Sequence, residues 1–129
     1  MTNTPATVEQ LGEERYLLVT TFRRDGTPVP TPVWAARDGD ALLVWTVGDS
    51  GKVKRIRRDG AVTVAPCNVR GVAKGEPVPA RATLLGPDGG AAVREMIKKK
   101  YGLSGRLFVW ASIRRRGADA TVGIRITLV

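Results

Sequence analysis

Cationic side chains crowd the stretch Ser-Gly-Lys-Val-Lys-Arg-Ile-Arg-Arg-Asp-Gly at residues 50–60, which lies between two apolar runs. Ser50 is a good N-cap residue, so the stretch is predicted to be a helix. On that helix Lys52 and Arg55, three residues apart, project to similar sides. A helix N-terminus with a lysine and an arginine nearby favours the binding of a phosphate group.

Two further residues of this stretch, Val53 and Ile56, share another side of the predicted helix and can pack onto a core. Gly60 is suited to close the helix in a left-handed conformation. The alternative interpretation is a solvated basic helix that joins two strands, because runs of charge are usually solvated faces.

The residues available for catalysis limit the chemistry. The chain has no histidine, which removes the Ser-His and Cys-His nucleophile pairs and the commonest zinc ligand. The lone cysteine, Cys67, cannot form an intrachain disulfide or a multi-cysteine metal site, and no metal site is expected. If the protein is an enzyme, a bound cofactor is therefore expected to supply the reactive group.

The net charge of +9 arises from 21 Lys and Arg against 12 Asp and Glu, and it favours an acidic partner. Aromatic residues make up only 5% of the chain and form no cluster for base stacking, so nucleic acid is an unlikely partner. The apolar runs are too short to span a bilayer and the N-terminus is polar. A cytoplasmic protein without a membrane partner is expected.

The hydrophobic pattern predicts a mainly β protein with peripheral helices. Alternating or continuous apolar residues indicate about six strands, at residues 15–22, 28–37, 41–46, 61–65, 78–85 and 121–128. Helices are expected at residues 7–14, 50–60 and 91–101, and residues 104–116 fit a helix better than a strand. Short connections favour antiparallel pairing, so residues 1–129 are predicted to be one domain, a small β-barrel.

Three prolines, Pro28, Pro30 and Pro32, mark the second predicted strand. Proline cannot donate a hydrogen bond to a neighbouring strand, and the two-residue spacing turns all three the same way. The strand should therefore lie at an edge of the sheet, where either a ligand docks or the prolines simply prevent aggregation.

Four sequence segments together carry a family resemblance. The run Thr-Thr-Phe-Arg-Arg-Asp-Gly-Thr-Pro-Val-Pro-Thr-Pro-Val-Trp at residues 20–34 resembles the opening of the pyridoxamine 5′-phosphate oxidase-like family. It is most similar to the branch of F420-dependent oxidoreductases, whose fold is a split β-barrel like that of FMN-binding proteins. Thr46 with residues 50–57, residues 64–71 and residues 100–102 extend the match in the family's order. The C-terminal part matches mainly through its last strand.

The resemblance implies a homodimer with the cofactor in a groove between the subunits. The proline-bearing strand would present backbone atoms to the ring, and the end of the next strand would lie beside the ring or linker. The start of the basic helix would hold the phosphate, with two arginines nearby, and the loop after the next strand would close over the cofactor. The implied cofactor-binding residues are Val29, Pro30, Thr31, Pro32, Val33, Trp34, Trp45, Thr46, Ser50, Gly51, Lys52, Arg55, Arg58, Cys67, Asn68, Val69 and Arg70.

The activity that the resemblance implies is transfer of a hydride from reduced coenzyme F420 to a small unsaturated organic substrate. F420 is a polyanion, which suits the net charge of +9. The alternatives are an FMN-binding oxidoreductase, a non-catalytic F420 carrier and a nucleic-acid-binding module.

The residues that act on the substrate are less clearly marked. No catalytic residue can be named: Tyr101 and Arg70 are conceivable proton donors, but a structural or cofactor-directed role is favoured for both. Phe108 and Trp110 are candidate walls of a substrate pocket, although core packing is the favoured role for them.

Overall fold

The computed structural model describes residues 7–47, 50–116 and 121–129. In these ranges the helices are α1 (Val8–Glu13), α2 (Gly51–Arg58) and α3 (Pro87–Arg116). The strands are β1 (Tyr16–Phe22), β2 (Pro28–Val33), β3 (Ala35–Asp38), β4 (Ala41–Val47), β5 (Ala61–Cys67), β6 (Val78–Leu84) and β7 (Thr121–Leu128). The predicted mainly β fold with peripheral helices is confirmed.

All seven strands belong to one antiparallel sheet with the order β2-β1-β5-β6-β7-β4-β3. The two outermost strands, β2 and β3, are consecutive in the chain and are joined by the single residue Trp34. The sheet must therefore curl until its two edges meet at Trp34. The result is a barrel whose seam is crossed by the chain and carries no ladder of hydrogen bonds between β2 and β3.

The prediction of one strand over residues 28–37 is wrong in one respect, because the structure divides this segment at Trp34. Pro28 to Val33 pair with β1, whereas Ala35 to Asp38 pair with β4 on the other side of the seam. The sheet therefore has seven strands instead of about six. The predicted edge position of the proline-bearing strand is confirmed, and Pro28, Pro30 and Pro32 are exposed.

Alternation along the strands produces two apolar cores. Leu42 and Val44 of β4 point into the barrel, where they pack with Leu17, Val19 and Ile124. These side chains are almost completely buried. Since each such burial contributes about 1.5–3 kcal/mol, the barrel interior is the main source of stability.

The second core lies between the outside of the sheet and α3. Leu43 and Trp45, the other face of β4, pack against Val93 and Ile97 of α3 and against Val109 further along the same helix. A strand buried on both faces reads as a continuous apolar run, which is what residues 41–46 show.

Helix α2 sits on the barrel and closes it. Val53 and Ile56 enter the interior core and are 0% and 4% exposed, as predicted for the apolar side of this helix. The helix ends at Asp59 and not at a left-handed Gly60, which is a correction to the prediction. A Cβ at Gly60 would lie 2.6 Å from the carbonyl oxygen of Ala82, so glycine is required there for close approach to β6.

Helix α3 is interrupted at Gly102, whose φ of +60° and ψ of −134° are not helical. The interruption divides it into a first half, residues 87–101, and a second half, residues 103–116. The predicted end of the helix at Tyr101 and Gly102 is thus confirmed, and the second half confirms the helical interpretation of residues 104–116. Within the described ranges, none of the helices combines the length and the apolar character needed to cross a membrane.

Candidate functional site

A cavity of about 260 Å³ opens at the barrel seam, next to Trp34. Six parts of the fold contribute side chains to it: β1, the end of β2 and its junction with β3, the end of β4, the start of α2, the loop after β5, and the second half of α3. The lining residues are Tyr16, Pro32, Val33, Trp34, Trp45, Thr46, Lys52, Val69 and Phe108. Apart from Lys52 and Thr46, the lining is apolar or aromatic.

The cavity brings together predicted site residues from four separate segments of the chain. The predicted residues among its lining are Pro32, Val33, Trp34, Trp45, Thr46, Lys52 and Val69. The other predicted residues are not among those that line it: Val29, Pro30, Thr31, Ser50, Gly51, Arg55, Arg58, Cys67, Asn68 and Arg70. Their proposed contacts with a cofactor stay predictions.

The start of α2 is a candidate anion site. The Ser50 hydroxyl accepts a hydrogen bond from the backbone N–H of Val53 at 3.3 Å, as an N-cap does. The first N–H groups of a helix have no acceptor within the helix, so those of Gly51 and Lys52 face outwards for an external partner. Gly51 also makes room for a cation, because a Cβ there would lie 2.8 Å from Nη1 of Arg55.

Arg55 is held in this position by β1. Its Nε donates a hydrogen bond to the hydroxyl of Thr21 at 2.6 Å, and Thr21 is itself buried. Side chains on a helix lean towards its N-terminus, which explains how a residue in the last turn reaches the first. The guanidinium group is therefore fixed beside the start of α2.

Arg58, the second predicted arginine, is directed elsewhere. Its Nη2 donates to the carbonyl oxygen of Phe22 at 2.5 Å, at the end of β1. This contact ties α2 to the sheet and does not extend the anion site.

Lys52 is the most unusual residue of the site. The sequence suggested an exposed cation, but its side chain points into the cavity and the residue is only 8% exposed. Burial, with a smaller contribution from the nearby charge of Arg55, lowers the pKa of Lys52 below its ordinary value. Among the described residues it has no hydrogen-bond or ion-pair partner. None of the buried side-chain nitrogen atoms of the described residues lacks a hydrogen-bond partner, so this partnerless ammonium group must stay accessible from the cavity. A lysine whose stem is buried and whose ammonium group opens into an apolar cavity is suited to receive an anion.

Aromatic rings form the opposite part of the wall. Trp34 stacks on Tyr101 with ring centres 4.3 Å apart and planes within 6°. Phe108 lies 5.0 Å from Trp34 and 6.0 Å from Trp45, measured between ring centres, and is 48% exposed. Of the two aromatic residues considered for a pocket wall, Phe108 lines this cavity, whereas Trp110 lies outside it.

Tyr101 supports this wall from behind. Its hydroxyl lies within hydrogen-bond distance of the carbonyl oxygens of Arg15 at 2.8 Å and Ala35 at 3.1 Å, and it accepts from the N–H of Ala35 at 3.2 Å. Burial is the main cause that raises the pKa of Tyr101 to about 12. A tyrosine that is fixed to backbone atoms of Arg15 and Ala35 and stacks on Trp34 serves to position that ring, which agrees with the structural role favoured for Tyr101.

The loop after β5 contributes one side chain only. The amide oxygen of Asn68 accepts hydrogen bonds from the N–H groups of Arg70 at 2.9 Å and Val72 at 3.0 Å, which shapes the loop. This turn leaves Val69 exposed at the cavity. Cys67 is buried in β5, and burial raises the pKa of its thiol, so it is an inert core residue.

Tyr16 lines the cavity but is not among the residues that the sequence motifs indicate. It is the first residue of β1 and pairs with Cys67 of β5. Because Leu17 points into the barrel, Tyr16 must point away from it, towards the seam. The alternation along β1 carried this information, but only the strand order places that face at the cavity.

The comparisons with known proteins agree with this fold. A family model described as pyridoxamine 5′-phosphate oxidase matches residues 4–127. No curated protein sequence matches the chain at a significant level.

Several solved structures share the fold at low sequence identity. An F420 reductase is 20% identical with a TM-score of 0.62, over 98% of this chain and 96% of that one. A conserved hypothetical protein from Mycobacterium tuberculosis is 19% identical with a TM-score of 0.69, over 98% and 86%. An FAD-binding protein from Mesorhizobium loti is 17% identical with a TM-score of 0.54, over 92% and 82%.

Proposed function

The chain belongs to the pyridoxamine 5′-phosphate oxidase family, and we propose that it is an oxidoreductase that uses coenzyme F420 to reduce a small unsaturated organic compound. The observation that carries this proposal is Lys52, whose stem is buried while its ammonium group, without a partner among the described residues, opens into a mainly apolar and aromatic cavity. Such a combination suits a ligand that has both a planar ring and an anionic group.

The residues around the cavity fit that ligand in two parts. The Lys52 ammonium group, the first N–H groups of α2 and the Arg55 guanidinium would bind the phosphate. Pro32, Trp34 and Phe108 would contact the ring and exclude water from it. When bound, the reduced deazaflavin supplies the hydride. The protein's own contribution is to position the ring and the substrate, which needs no nucleophile and agrees with the absence of histidine.

FMN is the second candidate cofactor. It has a phosphate and a planar ring but no acidic tail, so one buried lysine and one arginine are sufficient for it. The similarity of the fold to an FAD-binding protein from Mesorhizobium loti supports a flavin as the ligand. The net charge of +9, which exceeds what one phosphate requires, favours F420.

Titration of the purified protein with F420 tests the proposal, followed by quenching of tryptophan fluorescence, because Trp34 and Trp45 line the cavity. We expect Lys52→Ala to weaken binding by about 1–3 kcal/mol, or roughly 5- to 150-fold, through loss of a charge-assisted hydrogen bond. Lys54→Ala is the matched control, since it removes the same charge from an exposed position of the same helix.

Other results would redirect or refute the proposal. No quenching at tens of micromolar F420, or equal losses in the two variants, would refute it. A yellow protein with the absorbance of oxidised flavin would identify FMN instead. Binding of F420 without turnover of any acceptor would indicate a carrier, and an affinity for nucleic acid that falls steeply with salt would indicate the binding module.

We further propose that a second copy of the chain completes the site. The volume of about 260 Å³ is smaller than the range of about 300–1,000 Å³ usual for ligand pockets. At the rim, Val69 and Val72 are 63% and 60% exposed, which is unusual for two apolar side chains on one loop. Sedimentation equilibrium should therefore give the mass of a homodimer. A monomer that binds the cofactor with full affinity would exclude this completion of the site.

A further inference from the structure

The second half of α3 has two apolar sides. Gly105 and Val109 face the first half of the helix, and a Cβ at Gly105 would lie only 2.8 Å from the carbonyl oxygen of Ile97. On the side opposite Gly105 and Val109, Leu103, Leu107 and Trp110 follow each other at intervals of four and three residues, which aligns them along the helix.

This outer stripe lies uncovered. Leu103 is 75% exposed, Leu107 58% and Trp110 59%, and no described element of the chain packs over them. A single exposed leucine needs no explanation, whereas an aligned stripe of large apolar side chains indicates a surface that binds a partner. Each side chain gains on the order of 1.5–3 kcal/mol when it leaves water.

Cations border the stripe. A groove of about 750 Å³ runs between the two halves of α3 and is lined by Glu95, Lys98, Lys99, Arg106, Val109, Trp110 and Arg114. The Arg114 guanidinium lies 5.3 Å from the ring centre of Trp110. The acidic residue of the groove, Glu95, is paired with Lys98 at 2.9 Å, so the surface keeps a positive charge.

The charge and the apolar stripe together select the partner. A second copy that used this same face would bring its Lys99, Arg106 and Arg114 against identical cations, which opposes association. A small anion in the groove would leave Leu103 and Leu107 in water. An anionic bilayer surface meets both requirements, because its head groups attract the cations while Trp and Leu side chains insert at the acyl boundary.

We propose that the second half of α3 docks on the surface of an anionic lipid bilayer and lies in the plane of that surface. The expectation of no membrane partner rested on the lack of a spanning segment, which does not bear on a helix that lies on the surface. The docking involves neither Lys52 nor the start of α2, and it does not depend on the proposed function.

Co-sedimentation of the full chain with vesicles tests the docking, using equimolar phosphatidylglycerol and phosphatidylcholine against phosphatidylcholine alone. We expect binding to the anionic vesicles only, and a loss of binding when salt is raised from about 0.1 M to about 1 M. Leu107→Glu should reduce partitioning at least tenfold. Val129→Glu is the matched control, because it adds the same charge at a residue that is 89% exposed and lies outside α3.

A second variant protects the test against a folding defect. Arg106→Glu leaves the apolar stripe intact and reverses one charge of the groove, so it should also reduce partitioning several-fold while the far-ultraviolet circular dichroism is unchanged. The proposal is overturned if the protein ignores anionic vesicles, or if all variants bind as the unaltered protein does. It is equally overturned if Leu107→Glu converts a dimer into a monomer and vesicle binding is absent, because the stripe is then an interface between copies.

Discussion

In α2 two cationic side chains, Lys52 and Arg55, turn towards the barrel, whereas in the second half of α3 the cations border an apolar stripe that faces water. Lys52 is buried in the cavity and Arg55 is bonded to Thr21 of β1. Arg114, by contrast, lies over the exposed ring of Trp110. Both segments appear in the sequence as basic stretches mixed with apolar residues. The difference lies in the apolar residues: those of α2 are buried in the barrel interior, whereas those on the outer side of α3 are exposed to water.

The comparison shows that the burial of its apolar side decides which kind of anion a basic helix can bind. When the apolar side of a helix enters the core, its neighbouring cations are brought to a defined position, which suits a small anionic ligand. When the apolar side stays in water, the cations surround a broad surface, which suits an extended anionic one.

The largest difference between the two helices should appear when an aspartate replaces an apolar residue of each. Val53→Asp should destabilise the protein by about 3–5 kcal/mol, because it buries an unpaired carboxylate in the barrel interior. Leu107→Asp should change stability by less than about 0.5 kcal/mol, since Leu107 is exposed. Urea denaturation measures both. Equal losses would mean that the stripe on α3 is buried in the protein as it exists in solution.

Tyr101→Phe tests how firmly the first half of α3 is tied to the site. Loss of the hydroxyl leaves backbone groups of Arg15 and Ala35 without that partner, at a cost of about 1–3 kcal/mol. The pKa of Tyr101 is raised from 10.0 to about 12. Its contribution to stability is therefore present below pH 10 and is lost as the pH rises through the folded-state value.

Urea denaturation of both proteins between pH 8 and pH 12 would measure that loss. The stability difference between the unaltered protein and Tyr101→Phe should shrink over the upper part of the range. A constant difference would show that the hydroxyl is not buried, and α3 would then be less firmly attached than α2.

The smallest change in stability is expected at Lys52, the residue of α2 that lines the cavity. Lys52→Met should leave stability unchanged or raise it by about 1 kcal/mol, because an apolar group replaces a buried cation. Folding lowers the pKa of Lys52 from 10.5. At pH values between the folded-state and unfolded-state pKa, the unfolded chain therefore binds more protons than the folded protein. The unaltered protein should therefore gain stability relative to Lys52→Met as the pH rises through this window. A relative loss would indicate that Lys52 has an anionic partner within the protein.

Local patterns in the sequence predicted most of the fold. The strict alternation of residues 121–128 gave β7, and Thr7 gave the start of α1, where it caps the helix by accepting from the N–H of Gln10 at 3.2 Å. Gly102 was expected to end a helix, and it does interrupt α3. These features depend on neighbours along the chain, so the sequence carries them directly.

Features that depend on distant parts of the chain were harder to predict. The strand break at Trp34 follows from the curl of the whole sheet, and three prolines do not mark where the chain changes edges. Gly60 was assigned to the wrong role because its neighbour, Ala82 of β6, is distant in sequence. Lys52 was expected in water, and its burial results from walls supplied by β4, α3 and the seam.

Family resemblance supplied the main part of the candidate site, although the residue pattern alone had already marked Lys52 and Arg55. It pointed to Pro32, Trp34 and Lys52, which the structure does bring to one cavity. Tyr16 was not in the matched motifs, and Phe108 lies on the segment where the resemblance is weakest. Both could be placed only after the strand order and the path of α3 were known.

The position of β7 has a consequence for the nascent chain during synthesis on the ribosome. This strand is the last of the sheet to be synthesised, yet it lies between β6 and β4 and pairs with both. Until it emerges, the nascent chain exposes two unpaired strand edges, which are prone to associate with other chains. The sheet cannot become continuous before this strand leaves the exit tunnel, so closure of the barrel must wait for β7.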